Sequence, residues 1–256
     1  MRIALGIEYD GTAYNGWQKQ NFGLGVQEII EKALIRVADH EVETFCAGRT
    51  DAGVHATGQV IHFDTSSERQ NRGWLLGINS CLPDDISVKW ARQVDDKFHA
   101  RFSAISRNYS YLILNRLERS AIHRNRAWWV HKPLNEKDMN NASQYLLGEH
   151  DFSAFRATGC GANSSRREIM KISVERDGDW IKFNVSANAF LQHMVRNIVG
   201  TLISVGDGDK SIDWLKDILE SKDRKRAGVA APPHGLTLVS VEYPSSAGIP
   251  IFIDDD

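Results

Sequence analysis

The sequence is poor in cysteine and in long apolar runs, and each shortage excludes a class of protein. Its 256 residues include only three cysteines, Cys46, Cys81 and Cys160, which lie far apart and form no CxxC pair. Neither a disulfide framework nor a zinc knuckle is therefore expected. No run of about 18 apolar residues occurs, and Glu8 comes too early for the apolar segment of a signal peptide. We expect a soluble, cytoplasmic protein with no membrane contact.

An excess of charge of one sign is also missing. Lysine and arginine total 31 against 33 acidic residues, which gives a net charge of −2. A globally basic nucleic-acid binder is excluded, but a local basic surface is not. Because 42% of the residues are hydrophobic and 25% are charged, the chain can bury a core and is not expected to be disordered.

Strand and helix signals recur in nearly the same order in both halves of the chain. Period-2 and period-3.6 apolar patterns in the first half predict the order βαββαβ, which is the ferredoxin-like arrangement. The predicted elements are residues 2–8, 26–37, 44–47, 59–63, 74–78 and 86–91. In the second half, strands are predicted over 109–114, 169–175, 181–187 and 236–243, and helices over 135–147, 190–205 and 212–219.

These patterns predict an α+β fold with two ferredoxin-like (βαββαβ) halves. Residues 1–104 and 105–245 are expected to form a mostly antiparallel sheet flanked by helices, and residues 246–256 an acidic tail. A cleft between the halves is the expected place for a site, because ligands bind in concave surfaces. Fold alone does not indicate chemistry, which has to come from particular residues.

The loop at residues 48–58 has the highest density of chemically useful residues. GRTDAGVHATG combines three glycines, an arginine, a histidine and the carboxylate of Asp51 between two predicted strands. It is either an ordinary turn in which Asp51 bonds nearby amides, or a site where the backbone approaches a ligand closely. It contains no phosphate-binding glycine pattern. His55 and His62 lack the spacing of metal ligands, so no metal is expected and both are interpreted as structural.

The predicted helix at 190–205 is apolar on nearly every side, which indicates burial, yet it contains Arg196. A buried arginine cannot lose its proton and requires an anionic partner. Asp51 is the attractive candidate, because a planar guanidinium would hold that carboxylate ionised and oriented. The alternative is that Gln192, Arg196 and Thr201 form a narrow hydrated stripe on the helix.

Basic residues cluster around one predicted strand. Residues 101–126 contain six arginines and one acid, and Tyr109 and Tyr111 share a strand face there. Arginines beside aromatic rings suit a polyanion with stackable bases, although core packing of the tyrosines is the alternative. Arg107, Arg166 and Arg167 are predicted to contact such a substrate. The basic run at 222–226 is interpreted as a solvated face.

Residues 48–60, GRTDAGVHATGQV, resemble the catalytic-loop motif of tRNA pseudouridine synthases of the TruA type. The resemblance extends over nearly the whole chain. It includes IEYDGT at 7–12, FHARFS at 98–103, LGEHDF at 147–152, HMVRNIVG at 193–200 and GLTLV at 235–239.

This resemblance implies a homodimeric isomerase that converts uridine to pseudouridine at positions 38, 39 and 40 of the tRNA anticodon stem-loop, without a cofactor. It implies that Asp51 is the catalytic aspartate and that Arg196 is its basic partner. Tyr109 would pack on the target base, and Arg49 would hold the flipped nucleotide or fill the space it leaves. The family often has arginines beside this tyrosine, where this chain has Asn108 and Ser110.

The chemistry suits a single carboxylate, because the leaving uracil becomes the acceptor and no group or electron is lost. Tyr109 is a candidate for removing the C5 proton. A nucleoside hydrolase is a weaker alternative, since the motif shows neither a second acid nor a metal site. A tandem RNA-binding module shares the βαββαβ order, but the chain lacks the aromatic strand motif that such modules use.

Overall fold

The computed structural model describes residues 1–21 and 23–250. It divides into two compact units, Met1–Arg107 together with the segment from Leu238 onward, and Asn108–Thr237. The predicted halves met at residue 104 and assigned residues 236–243 to the second half, so the two divisions differ mainly in this closing strand. The three aspartates at the end of the predicted acidic tail lie outside the described residues.

The described residues form ten strands and five α-helices. The strands are β1 (Arg2–Tyr9), β2 (Phe45–Cys46), β3 (His55–Asp64), β4 (Ile86–Val94), β5 (Ser106–Asn115), β6 (Trp128–Val130), β7 (Gly148–Asp151), β8 (Arg166–Asp177), β9 (Trp180–Ala187) and β10 (Leu236–Glu242). The helices are α1 (Val26–Ala38), α2 (Asn71–Asn79), α3 (Glu136–Ser143), α4 (Met194–Gly206) and α5 (Ile212–Ser221). None of the helices in these residues is long and apolar enough to cross a bilayer.

The first unit has the predicted βαββαβ order. Its strands follow the order β4-β1-β3, and β2 also pairs with β3, with all of these pairs antiparallel. Helix α1 buries Val26, Ile30, Ala33 and Leu34, which recur at the spacing of one helix face. It ends where Asp39 takes the left-handed conformation, with φ of 61°. The predicted α+β class, with mostly antiparallel strands flanked by helices, is confirmed.

The second unit contains strands in the order β5-β9-β8-β7, and β6 runs parallel to β5. Strands β8 and β9, both predicted as strands, form a hairpin in which Asp177 pairs with Trp180 and Gly178 has a φ of 54°. In β9, the apolar residues Ile181, Phe183, Val185 and Ala187 are buried, and the alternation with less buried residues ends at Ser186, which is buried as well. The short strands β6 and β7 were not predicted.

Helix α4 begins later than predicted, at Met194 and not at residue 190. His193 has a φ of 61°, and this left-handed residue separates the helix from a turn in which Met194 N donates to Leu191 O at 3.0 Å. Ten of its thirteen residues are buried. The apolar character of this segment therefore does reflect burial on most sides, as predicted.

His62 gives the first unit a pH-dependent contribution to stability. The side chain is 1% exposed, and burial, followed by the neighbouring charges of His99 and Arg2, lowers its pKa from 6.5 to about 4. Because the unfolded chain takes up this proton first as the pH falls, the stabilisation is complete above pH 6.5 and is lost progressively down to about pH 4. At about 1.4 kcal/mol per pKa unit, the loss is about 3 kcal/mol.

Urea unfolding between about pH 7 and pH 4 measures this contribution. A His62→Gln variant should show a shallower loss over that interval, since the amide does not titrate. The pKa of His99, lowered mainly by burial, acts in the same direction and is present in both proteins. Equal slopes for the variant and the parent would contradict the assignment.

Candidate active site

Asp51 lies half-buried in the loop that connects β2 to β3. The loop contains a tight turn, in which Val54 N donates to Asp51 O at 3.1 Å and Gly53 has a φ of 76°. Glycine adopts this left-handed conformation without the steric cost that a side chain would add. The backbone around Asp51 is thus a defined turn, so the carboxylate is carried by an ordered segment.

The segment that follows β1 holds this turn from one side. Thr50 accepts a hydrogen bond from Trp17 N at 3.0 Å through its carbonyl, and its hydroxyl lies 2.7 Å from Tyr9 Oη. Gly53 N donates to Tyr14 O at 3.2 Å. Because Thr50, Tyr9 and Trp17 are all buried, these hydrogen bonds fix the residues on either side of Asp51.

Two glycines of the same segment permit its close approach to the turn. A Cβ on Gly11 would lie 2.0 Å from Val54 O, and a Cβ on Gly16 would lie 2.6 Å from Thr50 O. His55, which is 3% exposed, accepts a hydrogen bond from Gly11 N at 3.0 Å through Nδ1. The predicted structural interpretation of His55 and His62 fits this geometry, since Ala100 N likewise donates to His62 Nδ1 at 3.1 Å.

Replacing Gly11 by alanine is expected to destabilise the protein by about 1–3 kcal/mol, because the new methyl group meets the backbone of Val54. Turnover should fall by about 100-fold if Asp51 moves by about 1 Å. Gly73→Ala is the control, since that exposed helical position offers only an ordinary contact with Arg69 Cβ at 3.7 Å. It should stabilise α2 by about 0.5–1 kcal/mol. Equal unfolding midpoints for the two variants would contradict the packing argument.

Arg49, which was predicted in this loop, and Arg107, which was predicted to contact substrate, occupy different environments. Arg49 is exposed, two residues before Asp51. Arg107 is 7% exposed, and its guanidinium donates to Ala47 O at 3.0 Å, to Ala104 O at 3.3 Å and to Arg101 O. Arg107 therefore supports the start of the Asp51 loop from inside the unit. Its predicted contact with substrate remains a prediction.

Tyr109 and Tyr111 lie on the buried face of β5. Tyr109 is 8% exposed, and its ring contacts Phe190 edge-to-face with centroids 5.0 Å apart. Tyr111 is fully buried and donates to Pro232 O at 2.7 Å. Burial raises the pKa of Tyr111, and the positive charge of Arg196 opposes that rise. Within the second unit, the charge of Arg196 thus acts on the strand that carries Tyr109.

Arg196 is half-buried on α4, and its Nε donates to Ala231 O at 2.8 Å. The hydrated stripe considered for this helix is wrong at Thr201, which is fully buried. The Thr201 hydroxyl donates to Asn197 O at 2.7 Å and accepts a hydrogen bond from Gly228 N at 3.1 Å. Gln192 is exposed. Arg196 is therefore next to a buried surface without being enclosed by it.

The remaining basic residues that were singled out make hydrogen bonds or ion pairs within the second unit. Arg166 is exposed and pairs with Glu149 at 2.8 Å, and Arg167 Nη1 donates to Ser164 O at 3.0 Å. The solvated interpretation of 222–226 is wrong for Arg224, which donates to Asn197 Oδ1 at 2.9 Å and has its pKa lowered by burial. This Asn197–Arg224 contact was missed, although an asparagine in an apolar helix signals a need for a polar partner.

Site residues thus group by unit. Asp51 and Arg49 share one loop that Arg107 supports. Tyr109 and Arg196 both belong to the second unit, where the charge of Arg196 acts on Tyr111, two residues along β5 from Tyr109. Over residues 1–21 and 23–250, no three histidine, cysteine, aspartate or glutamate side chains are grouped as ligands for a metal ion.

Comparison with known proteins identifies the family. A family profile described as "tRNA pseudouridine synthase" matches residues 6–103 and 142–244, which include the Asp51 loop and α4. The chain belongs to the tRNA pseudouridine synthase family. The predicted isomerase class is therefore confirmed, and the family resemblance seen in the sequence extends to most of the chain.

Similar proteins support this assignment over the full length. A tRNA pseudouridine synthase A of Pseudoalteromonas atlantica is 50% identical over all of both chains. Proteins of the same name from Vibrio campbellii and Tolumonas auensis are each 54% identical over 98% of this chain, covering 95% and 96% of theirs. A Cbf5-Nop10-Gar1 complex matches at 13% identity and a TM-score of 0.38, which is too weak to inform the fold.

Proposed function

We propose that this protein isomerises uridine to pseudouridine at positions 38, 39 and 40 of the tRNA anticodon stem-loop, with Asp51 as the catalytic carboxylate. The observation that carries the proposal is the Asp51 turn itself. It lies in the motif that resembles the family's catalytic loop, and buried hydrogen bonds hold the residues on both sides of it. A fixed carboxylate is what the reaction requires.

The reaction exchanges one bond for another. The N1–C1′ bond of uridine breaks, the uracil turns while it stays bound, and a C5–C1′ bond forms. C5 loses its proton and N1 gains one, so atoms and electrons balance without a cofactor or metal. Asp51 acts as nucleophile or as stabiliser of positive charge at the sugar. Tyr109 packs on the target base and is the candidate for receiving the C5 proton.

The arginines of the site divide into two proposed roles. Arg49 is exposed beside Asp51, where it holds the flipped nucleotide or replaces it in the stack. Arg166, Arg167 and Arg107 were predicted to contact the RNA. Of these, Arg166 has the most exposed side chain, and its surface pair with Glu149 is weak enough to open for a phosphate.

Arg196 is proposed as the cation that orients Asp51. Arg196→Ala should reduce turnover strongly and lower stability by about 2 kcal/mol, as expected for the loss of a hydrogen-bonded charge. In a double-mutant cycle with Asp51→Asn, the two substitutions should be non-additive by about 0.5–3 kcal/mol in unfolding free energy. Strict additivity would show that the two side chains do not interact.

We further propose that the protein is a cytoplasmic homodimer and that one tRNA contacts both subunits. These proposals rest on the family resemblance, and sedimentation with and without tRNA tests the dimer. A fixed monomer that converts uridine at full rate would overturn the two-subunit contact.

Tritium release from unmodified tRNA transcripts labelled at C5 of uridine tests the activity. Isomerisation releases tritium to water without free uracil, a hydrolase releases free uracil, and a binding module releases neither. Transcripts with a single uridine at position 38, 39 or 40 test the assignment of positions. Conversion confined to another part of the tRNA would contradict it.

A further inference from the structure

The first unit carries an exposed aromatic side chain on a rigid turn, and the proposed chemistry does not use it. Phe102 is 77% exposed in the turn that follows β4. One side of its ring contacts His99, with centroids 4.4 Å apart, and the guanidinium carbon of Arg101 lies 5.7 Å from its ring centre. A phenylalanine this exposed contributes little to the core, and most of its ring is accessible to a ligand.

The turn that presents Phe102 is held by hydrogen bonds at consecutive residues. His99 Nδ1 accepts from Arg101 N at 3.1 Å, and Ser103 N donates to His99 O at 2.9 Å. Ala100 donates to His62 through its N at 3.1 Å and accepts from Tyr243 Oη at 2.6 Å. A ring presented on an ordered turn loses little entropy when a ligand stacks on it.

This turn and the Asp51 loop are joined through one side chain. The Arg107 guanidinium donates both to Arg101 O and to Ala47 O, which precedes the loop motif. Burial raises the pKa of Cys46 to about 12, and the charges of Arg49 and Arg101 both oppose that rise. The charges of Arg49 and Arg101 thus both act on this thiol, and Arg101 is the exposed cation in contact with the Phe102 ring.

The local charge favours an anionic partner. Residues 97–107 contain two exposed cations, Lys97 and Arg101, the buried Arg107 and no acid, and Asp95 and Asp96 directly precede them. An exposed aromatic ring beside arginines is the combination that binds unstacked nucleotides, through base stacking and phosphate contact. A protein partner would also accept an exposed ring, but nothing in this charge pattern favours a protein over RNA.

We infer that Arg101 and Phe102 form a second nucleotide-binding position, where an unpaired base of the RNA stacks on Phe102 and a neighbouring phosphate contacts Arg101. This inference rests on the proposed RNA substrate. The RNA would then contact Arg101 and Phe102 near the Asp51 loop. This contact would hold the opened anticodon region while a uridine is displaced. The position is distinct from that of the target base.

Binding of an unmodified tRNA transcript to Phe102 variants tests the inference. Phe102→Ala should raise Kd about tenfold, as expected for losing one stacked base, and should raise KM while leaving kcat within about threefold. Phe102→Trp should keep the affinity. Binding of a blunt RNA duplex, which offers no unpaired base, should not depend on Phe102. Arg101→Gln should reduce the salt dependence of tRNA binding by about one phosphate contact.

Ile105→Ala is the matched control, since Ile105 is an apolar residue 48% exposed in the same segment, and its Kd should stay within about twofold of the parent. An unchanged Kd for Phe102→Ala would overturn the inference. A sedimentation coefficient of Phe102→Ala that differs from that of the parent would also overturn it, because the ring would then belong to a contact between copies of the chain. Absence of uridine conversion by the parent protein would reject the proposed function instead, while the Kd comparison would still decide this binding position.

Discussion

Asp51→Asn is expected to abolish conversion of uridine while leaving the fold and tRNA binding intact. Asparagine has nearly the same shape, and the turn depends on the backbone of Asp51 and on the hydrogen bonds of Thr50, none of which the substitution removes. It does remove the negative charge, and an amide can neither attack C1′ nor stabilise a cationic sugar. Tritium release should fall to background, and Kd for tRNA should stay within about threefold.

Asp39→Asn is the matched control for charge. Asp39 is an exposed aspartate at the C-terminus of α1 with a left-handed backbone, a conformation that asparagine also tolerates. This variant should retain full activity. Measurable turnover by Asp51→Asn, with the control also active, would move the catalytic role to another residue. A loss of stability in Asp51→Asn larger than the proposed coupling to Arg196, about 0.5–3 kcal/mol, would indicate that the carboxylate is mainly structural.

Arg107→Met is expected to have the largest effect on stability, about 3–5 kcal/mol. The substitution keeps much of the buried aliphatic volume but removes the donors to the carbonyls of Ala47, Ala104 and Arg101. Each buried acceptor left without its donor costs about 1–3 kcal/mol. Arg107→Lys should recover little, because one ammonium group cannot reproduce the planar set of guanidinium donors. Urea unfolding at neutral pH measures the loss.

The exposed Arg92 on β4 provides the comparison, and Arg92→Met should change stability by less than about 0.5 kcal/mol. The same variants distinguish two roles of Arg107, the support of the Asp51 loop and a contact with the RNA. If Arg107→Met kept its stability but lost affinity in a salt-dependent way, the predicted role of Arg107 in binding RNA would be correct and the supporting role wrong.

The sequence predicted the elements with strong periodicity and missed those defined by single backbone angles. The alternation in β9 and the apolar face of α1 are each repeated over several residues, which makes their structures predictable. The start of α4 depends on the φ of His193, which no pattern of hydrophobicity reveals. Strands β6 and β7 are three and four residues long, too short for a periodicity to be recognised.

The candidate site was predictable where its residues are contiguous. Asp51, Arg49 and the glycines stand together in one loop, so their proximity follows from the sequence. The burial of Arg107 was not predictable, because arginines are mostly exposed and its acceptors are carbonyls at positions up to 60 residues away. The contact of Arg224 with Asn197 was missed for the same reason, since 27 residues separate the two.

The first unit is built from two separate stretches of the chain, and this affects how the protein folds during synthesis on the ribosome. This unit needs residues from both ends of the sequence, whereas the second is continuous from Asn108 to Thr237. A Cβ on Gly58 of β3 would lie 2.0 Å from Val239 O of β10, so β10 lies directly beside β3. The ribosome synthesises β10 long after β3. Until Leu238 and its successors emerge, the part of that strand edge that β2 does not cover stays open to wrong partners. The nascent chain thus completes its internal unit before the one that it began first.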